Sequence, residues 1–410
     1  MDAIENLLSW AKTQGITVSN VGPRALPGRG IGIVLINILT RQTQLTPPPP
    51  PPQKDDTILD VPIPCLKTIA TIPKPLTRPF PKETPVHALL ALDIALDASP
   101  SFKTWSAVFP TPKDLSSCPL TWSPSSPTLT SLLPSQALTL LKAQREKFES
   151  HWSLVSSTPL LDLDQGEHQY TYSYPQGGLT YKTYLHAWLL VNSRTFYHIT
   201  PKTAKRHRDD HMILQPVADL LNHSPRGCSV AFDKHSFTIK ADRPYTPGEE
   251  IHICYGRHSN DFLLVEYGFL MAQGENEWDE VCIDDVLLPR LSASHRRRLE
   301  EMGFLGNYVI DAENVCYRTQ VALRTLVLPA RRWSQFVDGF ADGEAEQAEV
   351  DALLCEILSA YDEEIESKIE TVCGLNEGEQ FQRDMVEARW KQIQLLVRGT
   401  IDKLSVSNTQ

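Results

Sequence analysis

Proline constrains this chain more than any other residue. Of its 31 prolines, six run together from Pro47 to Pro52, between two β-branched stretches at 31–39 and 58–65 that read as strands. Proline has no backbone N–H to give to a ladder, so the run must loop out between the two strands. Its extended form suits a plain spacer or a ligand for an SH3-like partner. A second tract rich in Pro, Ser and Thr covers 71–135 and is interrupted by one helical pattern at 89–96.

Elsewhere periodicity is easier to read. Asp2 and Glu5 make a capping box, Ile4, Leu7, Leu8 and Ala11 recur at helical spacing, and Gly15 closes a first short helix. Further helices are read at 138–148 and 181–194, the latter with Tyr181, Tyr184, Leu185, Trp188 and Leu189 on one face. Residues 228–254 return to strand alternation through Phe232, Phe237 and Ile239, with a turn at Pro247-Gly248 before a strand at 251–255. Beyond about Gly274 the spacing is helical, in one stripe from Leu354 to Ile369 and another from Trp390 to Ile401.

With 410 residues and 41% hydrophobic side chains, the chain can bury two ordinary cores. A formal charge of -11 argues against binding nucleic acid through its phosphates and suits a basic partner. That charge is local. Residues 338–380 hold 14 acidic residues and one base, Lys368, a net of -13, so the rest of the chain stands at +2. The acidic run belongs on the solvent face of the helical region, where it either solubilises the protein or docks a substrate. No apolar stretch is long enough to cross a membrane and none follows a basic N-terminus, so the chain reads as soluble and intracellular; a monomer is expected. The basic loop at 202–211 is a solvated loop or a nuclear address, which leaves cytoplasm and nucleus both open. Eight cysteines stand singly, with no C-x-x-C pair and no Cys/His quartet, so mostly buried, reduced thiols and no metal are expected.

Three clusters could carry chemistry. The first is Gly28-Arg29-Gly30-Ile31-Gly32, where glycines would let a ligand approach bare backbone groups. It precedes a strand rather than opening a helix, and no Lys-Ser/Thr follows, so it is neither a Rossmann turn nor a P-loop; a tight turn is the plain alternative. The second runs from Pro216 to Ser224 and ends in Asp219, Asn222 and His223. Such polar groups within an apolar stretch need hydrogen-bond partners or a ligand, unless they merely cap a helix end. The third begins at Tyr255-Gly256 and reaches Tyr267-Gly268-Phe269 across a short helix capped by Ser259 or Asn260. Two tyrosines flanking a helix can also be simple core residues.

Taken together, in this order and spacing, the clusters resemble the SET-domain protein methyltransferases, in the branch of the Rubisco large-subunit lysine methyltransferases and the fungal ribosomal-protein lysine methyltransferases. The resemblance covers roughly residues 20–270. It implies an α+β fold: a β-rich SET core with a pseudoknot and a helical insert, followed by an all-α C-terminal substrate-binding domain. The corresponding boundaries are an N-terminal helix at 1–19, core at 20–80, insert at 81–185, core at 186–272 and helical domain at 273–410.

The resemblance also implies S-adenosyl-methionine as methyl donor and the ε-amine of a protein lysine as acceptor, the substrate being a basic protein, with ribosomal proteins as the candidates by analogy. Cofactor contacts fall on Arg29, Gly30, Ile31, Arg194, Asp219, Asn222, His223, Tyr255, Tyr267 and Phe269. Tyr255 takes the catalytic position, and Phe196, Tyr267 and Phe269 line the acceptor channel. Arg194 suits a carboxylate because its planar fork meets both oxygens at once. An aromatic residue at Phe196 favours lysine over histidine as acceptor. The alternatives are a histidine methyltransferase and a SET-fold binding module that has lost catalysis.

Overall fold

The computed structural model describes residues 2–36, 51–122, 126–158, 179–200 and 203–407. Most of the proline run, the far end of the expected strand at 37–39 and Lys202 of the basic loop lie outside them. Among the described residues, no helix is long and apolar enough to cross a membrane.

The chain forms two compact units, each discontinuous: residues 1–116 with 144–256, and residues 117–143 with 257–410. Residues 117–143, which the sequence assigns to the insert, and 257–272, which it assigns to the core, both fall in the second unit.

The first unit is built on a seven-stranded sheet. Its strands are β1 (Thr17–Val18), β2 (Val21–Leu26), β3 (Gly30–Leu35) and β4 (Thr57–Pro62), then β7 (Asn222–Phe232), β8 (Ser236–Lys240) and β9 (Glu250–Ile253), in the order β1-β4-β8-β7-β9-β3-β2. The short strands β5 (Phe196–Tyr197) and β6 (Met212–Ile213) pair separately. β2 and β3 form a hairpin through Leu26↔Gly30, and Gly30 takes φ +74 at its corner, a backbone angle that glycine adopts without strain. β7 runs parallel to β9, with Asn222 opposite His252 and His223 opposite Ile253, and an irregularity follows before Cys228. Residues 218–220 form only one 3-10 turn, and Asn222 opens a strand. The helix-end alternative for Asn222 and His223 therefore fails.

Helix Tyr181–Arg194 keeps the bounds expected from its sequence and carries Arg194 at its last position. Thr180 and Thr183 cap it reciprocally. It packs on helix Val86–Leu96, which is buried almost all round. Trp188 stacks on His87 at 4.2 Å between ring centroids and donates its indole N–H to His151 Nδ1 at 3.0 Å, while Tyr184 Oη donates to the Ala88 carbonyl at 3.2 Å. Burial holds His87 well below the ordinary histidine range, so it packs as a neutral ring. Tyr181, expected on the buried face, is 42% exposed and reaches Glu149 instead.

The second unit is mainly helical, closed by the long helices Gln347–Cys373 and Gln380–Ser407. It is not all-α. A hairpin of β10 (Glu280–Cys282) and β11 (Val309–Asp311) buries Val281 and Ile310 in the same core as Tyr361, Trp390 and the insert-derived Leu129 and Leu133. Strands of three residues are too short to leave a periodic trace, so the sequence shows only the helices around them. Nor are the thiols mostly buried: Cys118 and Cys228 are, whereas Cys254 and Cys373 are exposed.

Candidate active site

The two segments that the parallel pair β7·β9 brings side by side carry Asp219, Asn222, His223 and Tyr255. Tyr255 lies just past β9, where its backbone N–H donates to His223 Nδ1 at 3.0 Å and its hydroxyl donates to the Leu221 carbonyl at 2.6 Å. The two rings sit 5.1 Å apart. Burial pushes the Tyr255 phenol up to about 12, although the Arg194 guanidinium pulls it back. Tyr255 is thus neutral at physiological pH and keeps its proton.

Arg194 enters from the end of its helix and donates through Nη1 to the backbone carbonyl of Asp219, while its Nε is buried with no partner among the described residues. The Asp219 carboxylate accepts the Trp105 indole N–H at 3.0 Å through Oδ2, and Oδ1 is buried without a partner among the described residues. Burial raises Asp219 to about 6, against the Arg194 charge and the Trp105 hydrogen bond, both of which favour ionisation. Just before it, Val217 holds φ +69 and ψ -44 while almost fully buried. A β-branched residue there is strained, and strain of this kind gathers at functional sites.

The glycine turn joins the same surroundings through Glu250 at the start of β9. Glu250 Oε1 accepts the Asn222 side-chain N–H at 2.7 Å, and Oε2 accepts from Arg29 Nη1 at 3.1 Å, with His252 Nε2 at 3.4 Å. Gly32 leaves the room for this: a Cβ there would lie 2.6 Å from Leu26 Cδ1, 2.7 Å from Glu250 Oε1 and 3.0 Å from Asn222 Nδ2. Ile31 follows Gly30 on β3, opposite Ala25.

Phe196 packs edge-on against Phe237 at 5.1 Å. Tyr267 and Phe269 belong to the second unit, where they lie 6.2 Å apart on either side of Gly268, whose left-handed φ of +77 ends helix Asn260–Tyr267. That helix is capped by Ser259, whose Oγ accepts from Phe262 N.

Within the first unit, the structure therefore gathers Arg29, Gly32 and Asn222 around Glu250, Arg194 against Asp219, and His223 against Tyr255, while Gly30 stays at the hairpin corner opposite Leu26. Sequence reasoning missed Glu250 and Trp105. Glu250 left a faint signal, a carboxylate opening a strand whose apolar positions are Ile251 and Ile253. Trp105 left none within the proline-rich tract; its position follows from an edge-to-face cluster with Phe102 and Phe109.

A sheet in which one strand runs parallel beside the segment leading to a partly buried tyrosine, with an arginine and a glycine turn closing in, has the architecture of a SET domain. The family model "SET domain" matches residues 101–256, and "Ribosomal lysine N-methyltransferase 2 C-terminal domain" matches residues 279–403. The chain thus pairs a SET domain with a C-terminal domain of the ribosomal lysine N-methyltransferase 2 type. It is 29% identical to the ribosomal lysine N-methyltransferase set11 of Schizosaccharomyces pombe over 48% of this chain and 53% of that protein. SET domain-containing protein 4 of Homo sapiens is 24% identical over 97% of this chain and 90% of its own length. The chain thus spans about half of the first relative and most of the second. Its fold matches that of the SET domain of LSMT bound to lysine and AdoHcy with a TM-score of 0.65 at 17% identity, covering 100% of this chain and 92% of the other. Rubisco LSMT bound to AdoMet matches with a TM-score of 0.62 at 16% identity, over 100% and 93%.

Proposed function

We propose that the chain transfers a methyl group from S-adenosyl-methionine to the ε-amine of a lysine in a protein. The observation that carries the reading is the cluster of Arg194, Asp219, His223 and Tyr255, with buried polar atoms of Arg194 and Asp219 that have no side-chain or backbone partner among the described residues. Native interiors rarely leave such groups orphaned unless a ligand or water meets them. The residues fit the cofactor: glycines at 28, 30 and 32 that leave backbone groups open, a guanidinium whose Nε has no partner among the described residues and can meet a carboxylate, and an asparagine held by Glu250. When bound, S-adenosyl-methionine supplies a methyl group on a positive sulfonium.

The protein's part is alignment and exclusion of water. Arg194, Asn222 and the backbone around Gly30 hold the donor, and Tyr255 faces the reacting groups. Because the Tyr255 proton is committed to the Leu221 carbonyl, its oxygen can act toward a third group only as an acceptor. With a pKa near 12 it does not serve as a base near neutrality. The acceptor lysine loses its proton because burial beside another positive charge disfavours an ammonium.

Phe196, beside Phe237 in the first unit, supplies an aromatic face for the alkyl stem of lysine. The names of the relatives support a ribosomal protein as substrate, and the acidic segment supports a basic one. Cytoplasm and nucleus both suit such a substrate. The test is incubation of the purified chain with labelled S-adenosyl-methionine and ribosomal proteins, followed by mass spectrometric mapping. Label on lysine is expected; label on histidine would transfer the assignment to that acceptor, and no label together with no cofactor binding would remove the activity.

A further inference from the structure

We propose that Glu250 is a positioning residue that fixes the side-chain amide of Asn222 with its oxygen turned outward, and so makes the site selective for a ligand carrying a primary ammonium. The inference rests on S-adenosyl-methionine being the ligand.

An asparagine amide looks the same either way round except to its partners, so those partners decide its orientation. Here the partner is Glu250, a carboxylate that can only accept. Asn222 must therefore give it the NH2 group, as the 2.7 Å contact between Nδ2 and Oε1 records. The other fork of the amide, Oδ1, is left as an acceptor. Glu250 has no freedom to release this grip, because its second oxygen is occupied by Arg29 Nη1 at 3.1 Å and His252 Nε2 at 3.4 Å. Burial works to raise its pKa, but the hydrogen bonds from His252 and Asn222 and the nearby Arg29 charge outweigh it, so the carboxylate stays ionised. Gly32 completes the arrangement, since any Cβ at that position would press on both Glu250 Oε1 and Asn222 Nδ2. Three strands and a turn thus converge to present one oxygen. An amide oxygen backed by a carboxylate attracts a cation that also donates hydrogen bonds, and the α-ammonium of the methionine moiety is such a group.

Two variants separate orientation from charge. In Glu250→Gln the side chain keeps its shape but has a single oxygen, which the charged Arg29 claims; its NH2 then faces Asn222, which must reverse. In Glu250→Ala the charge is lost but Asn222 can turn either way. Calorimetric binding to the full chain, without acceptor, compares S-adenosyl-methionine with an analogue whose α-ammonium is replaced by hydrogen. The wild type is expected to favour S-adenosyl-methionine at least tenfold. Glu250→Gln should lose about tenfold for S-adenosyl-methionine and less than twofold for the analogue, a larger loss than Glu250→Ala shows. An equal loss for both ligands would reduce Glu250 to scaffolding, and equal losses in the two variants would leave charge alone; either overturns the proposal. Should Glu250→Ala not fold, the ligand ratio of the isosteric Gln variant decides by itself. A wild type that binds neither ligand would fail the methyltransferase reading instead.

Discussion

Asp219 holds a buried carboxyl in a position where ionisation is disfavoured, and its effect on stability follows from the sign of that shift. Its folded pKa of about 6 lies above the ordinary 3.8. The stability this group contributes is therefore present below about 3.8 and is lost as pH rises through about 6, an effect of about 2–3 kcal/mol. Asp219→Asn, whose amide oxygen can still accept from Trp105, is expected to stabilise the unliganded chain at pH 7.5 by about that amount. Urea unfolding at pH 5 and pH 7.5 should show the gap between the two conditions narrowing in the variant. Tyr255→Phe makes a different prediction. It removes an acceptor and the bond to Leu221 while leaving the ring beside His223, so kcat should fall about tenfold or more with cofactor affinity nearly unchanged in equilibrium binding. At this scale the sequence disclosed residue types well, because Asp219, Asn222 and His223 stand out in an apolar stretch. It could not disclose Glu250, whose reason for being there is Asn222, 28 positions earlier in the chain.

Strands and helices differ in how far they can be read. Helix Tyr181–Arg194 was legible in its bounds because its apolar spacing is local, although Tyr181 turned outward, whereas the neighbours of β9 are set by contacts with β3 and β7, far off in the chain. For β3 the sharpest test is Gly32→Ala. A methyl group there cannot be admitted without displacing Glu250 or Asn222, so cofactor affinity should fall more than tenfold, whereas the same change at Gly28, where a Cβ meets nothing within 4 Å, strains only the turn. Calorimetry on the two variants separates the effects. In the second unit, helix Gln380–Ser407 is tied to helix Asn260–Tyr267 by Arg389, fully buried, whose Nε and Nη2 reach Asp261 at 2.9 and 3.2 Å and whose Nη1 reaches Asp279 at 2.8 Å. Arg389→Ala would leave the buried Asp261 and the partly buried Asp279 without their guanidinium and is expected to cost about 3–5 kcal/mol, measured by denaturant unfolding. Adding Asp261→Asn and Asp279→Asn should recover part of that loss, because the three groups act as one unit.

The whole-molecule charge has two destinations. Glu346 and Asp351 are buried and engage Arg332 and Gln347, so part of the acidic run holds the helical unit together rather than facing solvent. Glu363, Glu366 and Glu370 are exposed along helix Gln347–Cys373. Reversing these three to Lys should raise KM for a basic protein substrate at low salt, flatten its salt dependence and leave kcat unchanged in steady-state assays; an unaltered KM would assign the charge to solubility. Domain boundaries were the least legible property, since composition changes gradually while the two units exchange chain segments. That exchange has a consequence during synthesis. Residues 117–143 emerge from the ribosome well before the 257–410 segment with which they pack, and they carry Leu129, Leu132 and Leu133, all buried in the finished protein. The first unit, equally, waits for residue 256 before its sheet can close. The nascent chain therefore passes through a long interval with core leucines exposed, and its yield in cells should depend on chaperones that shield hydrophobic segments until translation is nearly complete.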